Sequence, residues 1–220
     1  DILVNARPHI GTDRLIKVLR NLRETIHSLG GVIHYESKVV DLDISDGKIK
    51  GVVLDGGEHV AGDSVILAVG HSARDVFELL ARKDIPLERK SFSVGVRIEH
   101  PQPLIDAARW GPSAGHPRLG PAEYKLVHHA TNGRCVYSFC MCPGGFVVGA
   151  TSEVGRVVTN GMSQHSRNER NANSGLVVQL EPEDLAPYER HPGDPLAGVA
   201  LQRDLEHRAY LLGGSTYAAP

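Results

Sequence analysis

The chain has no run of apolar residues approaching the roughly 18 needed to cross a bilayer. Its first residues, Asp1-Ile2-Leu3-Val4-Asn5-Ala6-Arg7, lack the long apolar core of a secretory signal. It has only three cysteines, all between Cys135 and Cys142. An odd number crowded into one segment argues against a disulfide framework and for a reducing, cytoplasmic setting. Charge of neither sign dominates: 24 basic residues face 26 acidic ones, for a net charge of −2. A nucleic-acid or anionic-membrane partner would require a basic face, so neither is expected. There is no G-x-G-x-x-G strand–turn–helix and hence no glycine-rich phosphate cradle. The twelve histidines form neither H-x-H nor H-E-x-x-H, so no zinc-protease helix can be read, and the Ser, His and Asp residues give no recognisable hydrolase order. Repeats and low-complexity tracts are missing too.

What is present is an ordinary globular composition, 41% apolar and 23% charged over 220 residues, enough for one large or two small domains. Thr12 is a candidate N-cap, and Leu15, Val18, Leu19, Leu22, Ile26 and Leu29 recur at helical spacing until Gly30-Gly31 stops the helix. Arg14, Lys17, Arg20 and Arg23 read as the solvated face of that helix. Strands are expected at residues 32–36, 39–44 and 49–54, the last two joined by an Asp46-Gly47 hairpin turn. Gly56-Gly57 turns into a short strand at residues 59–61. Val65-Ile66-Leu67-Ala68-Val69 is continuously apolar, as in a strand covered on both faces of a mainly parallel sheet. Gly70 then permits close backbone approach. Ser72 and Asp75 have capping-box spacing for a helix over residues 73–83.

The pattern changes after Pro86. Strand candidates at residues 94–99, 124–129, 134–141, 146–152 and 175–180 are separated by a short helix near residues 104–108 and a Pro/Gly-rich loop over 111–121. Turns are expected at Asn132-Gly133 and Gly144-Gly145, and a closing helix over residues 196–212. This predicts an antiparallel sheet with helices to one side, a domain boundary near residue 90, and a mobile polar loop over residues 163–174.

Few side chains suggest chemistry. Cys140 and Cys142 share a face if their segment is a regular strand. They lack the partners for a zinc site and the helix N-terminus that activates a thiol, so no metal is expected and small buried thiols are the simpler reading. Arg97 and Glu99 share a strand face, suited either to an internal ion pair or to anchoring a carboxylate substrate, with His100 beside them. Arg156, Asn160, Asn171 and Asn173 flank polar loops and could line a substrate mouth.

Five segments together carry a resemblance: Arg7 to Leu15, Val65 to Asp75, Gly95 to Pro101, Cys140 to Gly145 and Gly155 to Ser163. The chain resembles the uncharacterised bacterial FAD-dependent dehydrogenases, also known as NAD(FAD)-utilising dehydrogenases. The resemblance implies an α/β, mixed α+β fold: a partial FAD-binding Rossmann-like domain with a β-meander in residues 1–90, and an antiparallel-sheet substrate domain in residues 91–220. It implies FAD contacts at Val39, which would touch the adenine through its backbone, and at Ala68, Val69, Gly70 and His71. Arg97, His100, Cys142, Gly144 and Gly145 become candidates to face substrate, the Pro143-Gly144-Gly145 backbone by lying close to flavin or substrate. Because members of the family carry a glycine-rich FAD segment before the position of Asp1 and a flavin-binding segment after that of Pro220, the chain is expected to be an internal piece of a longer oxidoreductase. Such a piece would be inactive and hold FAD weakly by itself, with a small-molecule substrate and a nicotinamide donor as partners of the whole. The alternative is a binding or regulatory module that keeps the flavoprotein scaffold without redox catalysis.

Overall fold

A computed structural model describes residues 9–218, so Arg7 and Pro8 of the first motif lie outside the described residues. The fold is mixed α+β, with antiparallel strand pairing throughout the described sheets. The chain divides into two compact units: one formed by Asp1–Thr25, Lys90–Asp184 and Gln202–Pro220, the other by Ile26–Arg89 and Leu185–Leu201.

The second of these units contains the meander β1 (Val39–Ser45), β2 (Lys48–Leu54) and β3 (His59–Ala61), paired in that order. Its first turn works as the residues demand: Asp46 and Gly47 both take positive φ, the backbone that lets a two-residue turn match strand twist. Helix α2 (Arg74–Arg82) follows. Leu42, Leu54, Leu79, Leu185 and Leu196 make the buried apolar cluster.

Two expected strands are not formed here. Residues 32–36 are irregular, and Glu36 has φ of 53°, which breaks an extended run. Residues 65–69 form no strand, and Ile66 is 91% exposed. An apolar run encodes a demand for burial but not the neighbours that meet it, and no described strand pairs with this one. The capping box at Ser72 is also replaced: the N-cap is Ala73, and the Asp75 carboxylate pairs instead with Lys38 at 2.7 Å.

In the other unit the sheet order is β4 (Phe92–Pro101), β8 (Asn171–Leu180), β6 (Cys135–Ala150) and β5 (Val127–His129), with β7 (Val158–Met162) on the later half of β6. The Asn132-Gly133 turn joins β5 to β6, its Gly133 amide bonded to Ala130 O. Gly144-Gly145, by contrast, is no turn: β6 runs through it for sixteen residues, leaving β8 for β7 on the way. The polar stretch after residue 163 is in part structural, since Ala172, Asn173 and Ser174 are wholly buried in β8. Helix α3 (Gln102–Trp110) starts directly where β4 ends. Helix α1 (Thr12–Ser28) and helix α4 (Ala197–Leu212) each contain a point where the chain passes from one unit to the other. As expected, Gly30 stops α1, and the Gly213-Gly214 pair follows the end of α4, but the apolar stripe of α1 stays exposed at Leu15, Leu19, Leu22 and Ile26.

Candidate functional site

The bend in β6 gathers polar groups that a plain sheet would exclude. β6 slips register against β8 between Phe139 and Cys142 and again between Cys142 and Gly145, and Cys140 and Gly144 take φ of 46° and 47°. Bulges of this kind re-aim side chains. Simple alternation therefore cannot be applied to the two thiols: Cys140 is exposed, while Cys142 is half-buried and donates to Cys140 O at 3.5 Å. Burial pushes the Cys142 thiol pKa up, against the opposing pull of the Arg97 and Arg167 charges. All three cysteines are free. Among the described residues no group of His, Cys, Asp or Glu is arranged to hold a metal ion.

β4 pairs with β8 without a slip, so its faces can be read directly: Arg97, Glu99 and Asn173 share one, and His100 and Ser174 the other. Arg97 Nη1 donates to Asn173 Oδ1 at 2.6 Å and to Cys140 O at 3.3 Å. Glu99 accepts from Asn171 Nδ2. The internal Arg97–Glu99 ion pair, one of the two readings left open by the sequence, is therefore not made; each charge is held by an asparagine of β8. Gly161 of β7 makes the arrangement possible, since a Cβ there would lie 2.3 Å from Arg97 Nη1 and 2.2 Å from Asn173 Oδ1. Asn173 is completely buried, yet its Nδ2 has no partner. Leaving such a donor unsatisfied costs about 1–3 kcal/mol.

On the opposite face His100 stacks obliquely on Tyr124 with ring centroids 5.6 Å apart. His100 Nε2 and Tyr124 Oη are both buried without a hydrogen bond of normal geometry. Burial lowers the His100 pKa, with Glu99 opposing, and raises that of Tyr124, with Ser174 and Arg97 opposing. His100 is thus not gathered with Arg97 and Cys142.

Gly144 and Gly145 are buried, and the space a side chain would need there is taken by backbone. A Cβ at Gly144 would lie 1.8 Å from Arg167 O, and one at Gly145 2.3 Å from Met162 O. The Gly144 amide donates to Gln102 Oε1 at 2.8 Å. Gln102 in turn donates to Asp106 and to Ala122 O, so a single buried amide ties the start of α3 to the bend. Nearby, the first motif is clamped to the end of β7. Thr12 N donates to Ser163 O at 3.0 Å, His165 N to Asp13 Oδ1 at 2.8 Å, and His9 Nε2 lies 2.8 Å from Gln164 O. The bond from His165 holds the Asp13 carboxyl below its usual range.

In the meander unit Val39 opens β1 half-buried, while Ala68, Val69, Gly70 and His71 form an exposed irregular strip. The Lys38–Asp75 pair ties the residue before Val39 to the helix after this strip. Gly70 has φ of 77°, and nothing lies within 4 Å of where its Cβ would be. The strip can therefore be approached closely from that side.

Tyr124 and Gln102 are residues of the bend that the sequence did not single out, and Asn173, a sequence candidate for a substrate mouth, is instead fully buried and bonded to Arg97. The alternation Asn171-Ala172-Asn173-Ser174 was the available signal, masked because four small or polar residues also read as loop.

Residues 91–220 match the family described as FAD-dependent protein, C-terminal domain-like. The chain belongs to this family. The match begins where the sequence pattern changes and takes in Arg97, His100, Cys142, Gly144 and Gly145, whereas Val39 and the strip at Ala68 to His71 lie before it. An uncharacterized protein of Clostridium beijerinckii is 44% identical over 221 residues, an alignment covering all of this chain and 40% of that protein. The chain thus spans well under half the length of this relative.

Proposed function

We propose that this chain is part of an FAD-dependent oxidoreductase acting on a small molecule, with residues 1–90 contributing to the flavin site and residues 91–220 forming the substrate domain. The observation that carries the reading is the family match over residues 91–220. In such an enzyme FAD supplies reversible hydride or electron acceptance, and the protein binds, orients and excludes water. The residues of the meander unit fit a cofactor: the Ala68 to His71 strip is exposed, and Gly70 leaves open space on one side for a ligand. Val39 would add a backbone contact beside the strip. Arg97, kept in place by Asn173, is the residue suited to anchoring a substrate. By itself the chain is inactive, and a reduced nicotinamide serves the whole protein as electron donor. The test is the visible absorbance of the full-length protein under anaerobic conditions. A flavin spectrum that bleaches on adding NADH or NADPH is expected. A full-length protein purified without flavin, or a flavin that neither nicotinamide nor dithionite bleaches, would favour a scaffold without redox chemistry.

A further inference from the structure

A cleft of about 320 Å³ lies between β4, the start of β7 and α4, all within one compact unit. Val157, Val158, Leu205 and Ala209 give it apolar walls, and Arg97 is its cation. The volume is at the lower end for ligand pockets, room for a small organic molecule and not for a dinucleotide. The backbone bond from Val157 N to Glu206 O, 3.1 Å, holds the strand side and the helix side together.

The guanidinium is prepared for an anion. Two hydrogen bonds of Arg97 leave from Nη1, to Asn173 Oδ1 and Cys140 O, and the Cys142 thiol also lies within hydrogen-bonding reach of the guanidinium. Among the described residues no hydrogen bond of normal geometry leaves its Nε or Nη2. Those two nitrogens form the side-on fork that matches a carboxylate in a bidentate pair. No ion pair among the described residues includes Arg97. Glu206 also lines the cleft. Its charge disfavours a dianion such as phosphate and leaves a monoanion as the better occupant.

We propose that this cleft binds a small carboxylate with an apolar body, the carboxylate held side-on by Arg97 and the body lying against Val157, Val158 and Leu205. Asn173 is a positioning residue: it fixes Nη1 and thereby turns the free edge of the fork outward. As a statement about substrate class, the proposal rests on the reading of residues 91–220 as the substrate domain.

The test titrates the full-length protein with isovalerate by calorimetry, using isovaleramide and inorganic phosphate as controls, while absorbance records flavin content separately. Isovalerate is expected to bind at least about tenfold more tightly than either control. Arg97→Met should weaken isovalerate by about tenfold or more. Ala209→Trp, which fills the cleft and leaves Arg97 and its partners untouched, should do the same and covers the case in which Arg97→Met fails to fold. No heat from isovalerate up to about 10 mM, or wild-type affinity in either folded variant, overturns the proposal. Binding by a flavin-free protein would support the cleft and sink only the redox reading; a flavin-loaded protein that ignores isovalerate would sink only the cleft.

Discussion

Asp194 shows how one side chain can carry a pH dependence. Its side chain is 1% exposed, and it accepts from Arg190 Nε at 2.6 Å, Arg190 Nη2 at 2.9 Å and the Leu196 amide at 2.9 Å. The Arg190 guanidinium, helped by the amides of Leu196 and Arg190, holds the carboxyl far below its ordinary range against the cost of burial. A folded-state pKa below the unfolded one means stability that is present above the unfolded value, near 3.8, and lost as pH falls through the folded value. Because Arg190 is itself largely exposed, much of its charge is screened, and the hydrogen bonds carry most of the effect. Asp194→Asn should cost about 2 kcal/mol at pH 7 and flatten the fall in stability below about pH 5. Urea unfolding across pH checks both; an unchanged acid limb would contradict the assignment. Nothing in the sequence marked Asp194, because its partners become partners only through the turn at residues 190–196.

The bend of β6 follows a different logic, in which shape rather than charge sets the constraint. Gly144 has positive φ and its missing Cβ makes room for Arg167 O, whereas Gly133 also has positive φ but faces open space. Ala at Gly133 should cost only the backbone term of about 1–2 kcal/mol. Ala at Gly144 adds a clash with backbone that cannot swing away and should cost more than about 3 kcal/mol. Denaturant melts of the two variants decide this, and equal losses would show that the bend is softer than its geometry implies. Both glycines looked like turns in the sequence, and only one is. Local signals placed the helices and the first hairpin well, since caps, stops and two-residue turns act over a few residues. They failed at residues 32–36 and 65–69, where strand formation depends on neighbours that local chemistry does not specify.

For the chain as a unit of binding, the absence of a G-x-G-x-x-G segment among its 220 residues is decisive. A dinucleotide is held largely through its pyrophosphate at a glycine-rich turn and helix N-terminus. Val39 and the Ala68 to His71 strip could add only a few hydrogen bonds of about 1 kcal/mol each, against several kcal/mol of lost freedom on association. Fluorescence titration of this chain with FAD should therefore give a dissociation constant weaker than about a micromolar. Tighter binding would mean that residues described here as structural build the flavin site. The exposed apolar stripe of α1 and the exposed run at Ile66 belong to the same picture: apolar surface that the described chain does not itself cover.

The residue pattern alone makes legible the mixed fold, the meander with its Asp46-Gly47 turn, the helices flanked by Gly30 and Gly213, and a likeness to FAD-dependent proteins. These follow from short-range rules or from whole motifs. It also placed Arg97 and Cys142 in one candidate set. Which of the candidates meet depends on the assembled fold. Strand register put Asn173 under Arg97 and His100 on the far face, and two slips in β6 brought Cys142 and the Cys140 carbonyl toward the guanidinium. The last glycine of that arrangement, Gly161, comes from a strand that no local pattern revealed. Register is set by long-range pairing of β4, β6, β7 and β8, a property of the assembled sheet that no segment carries alone.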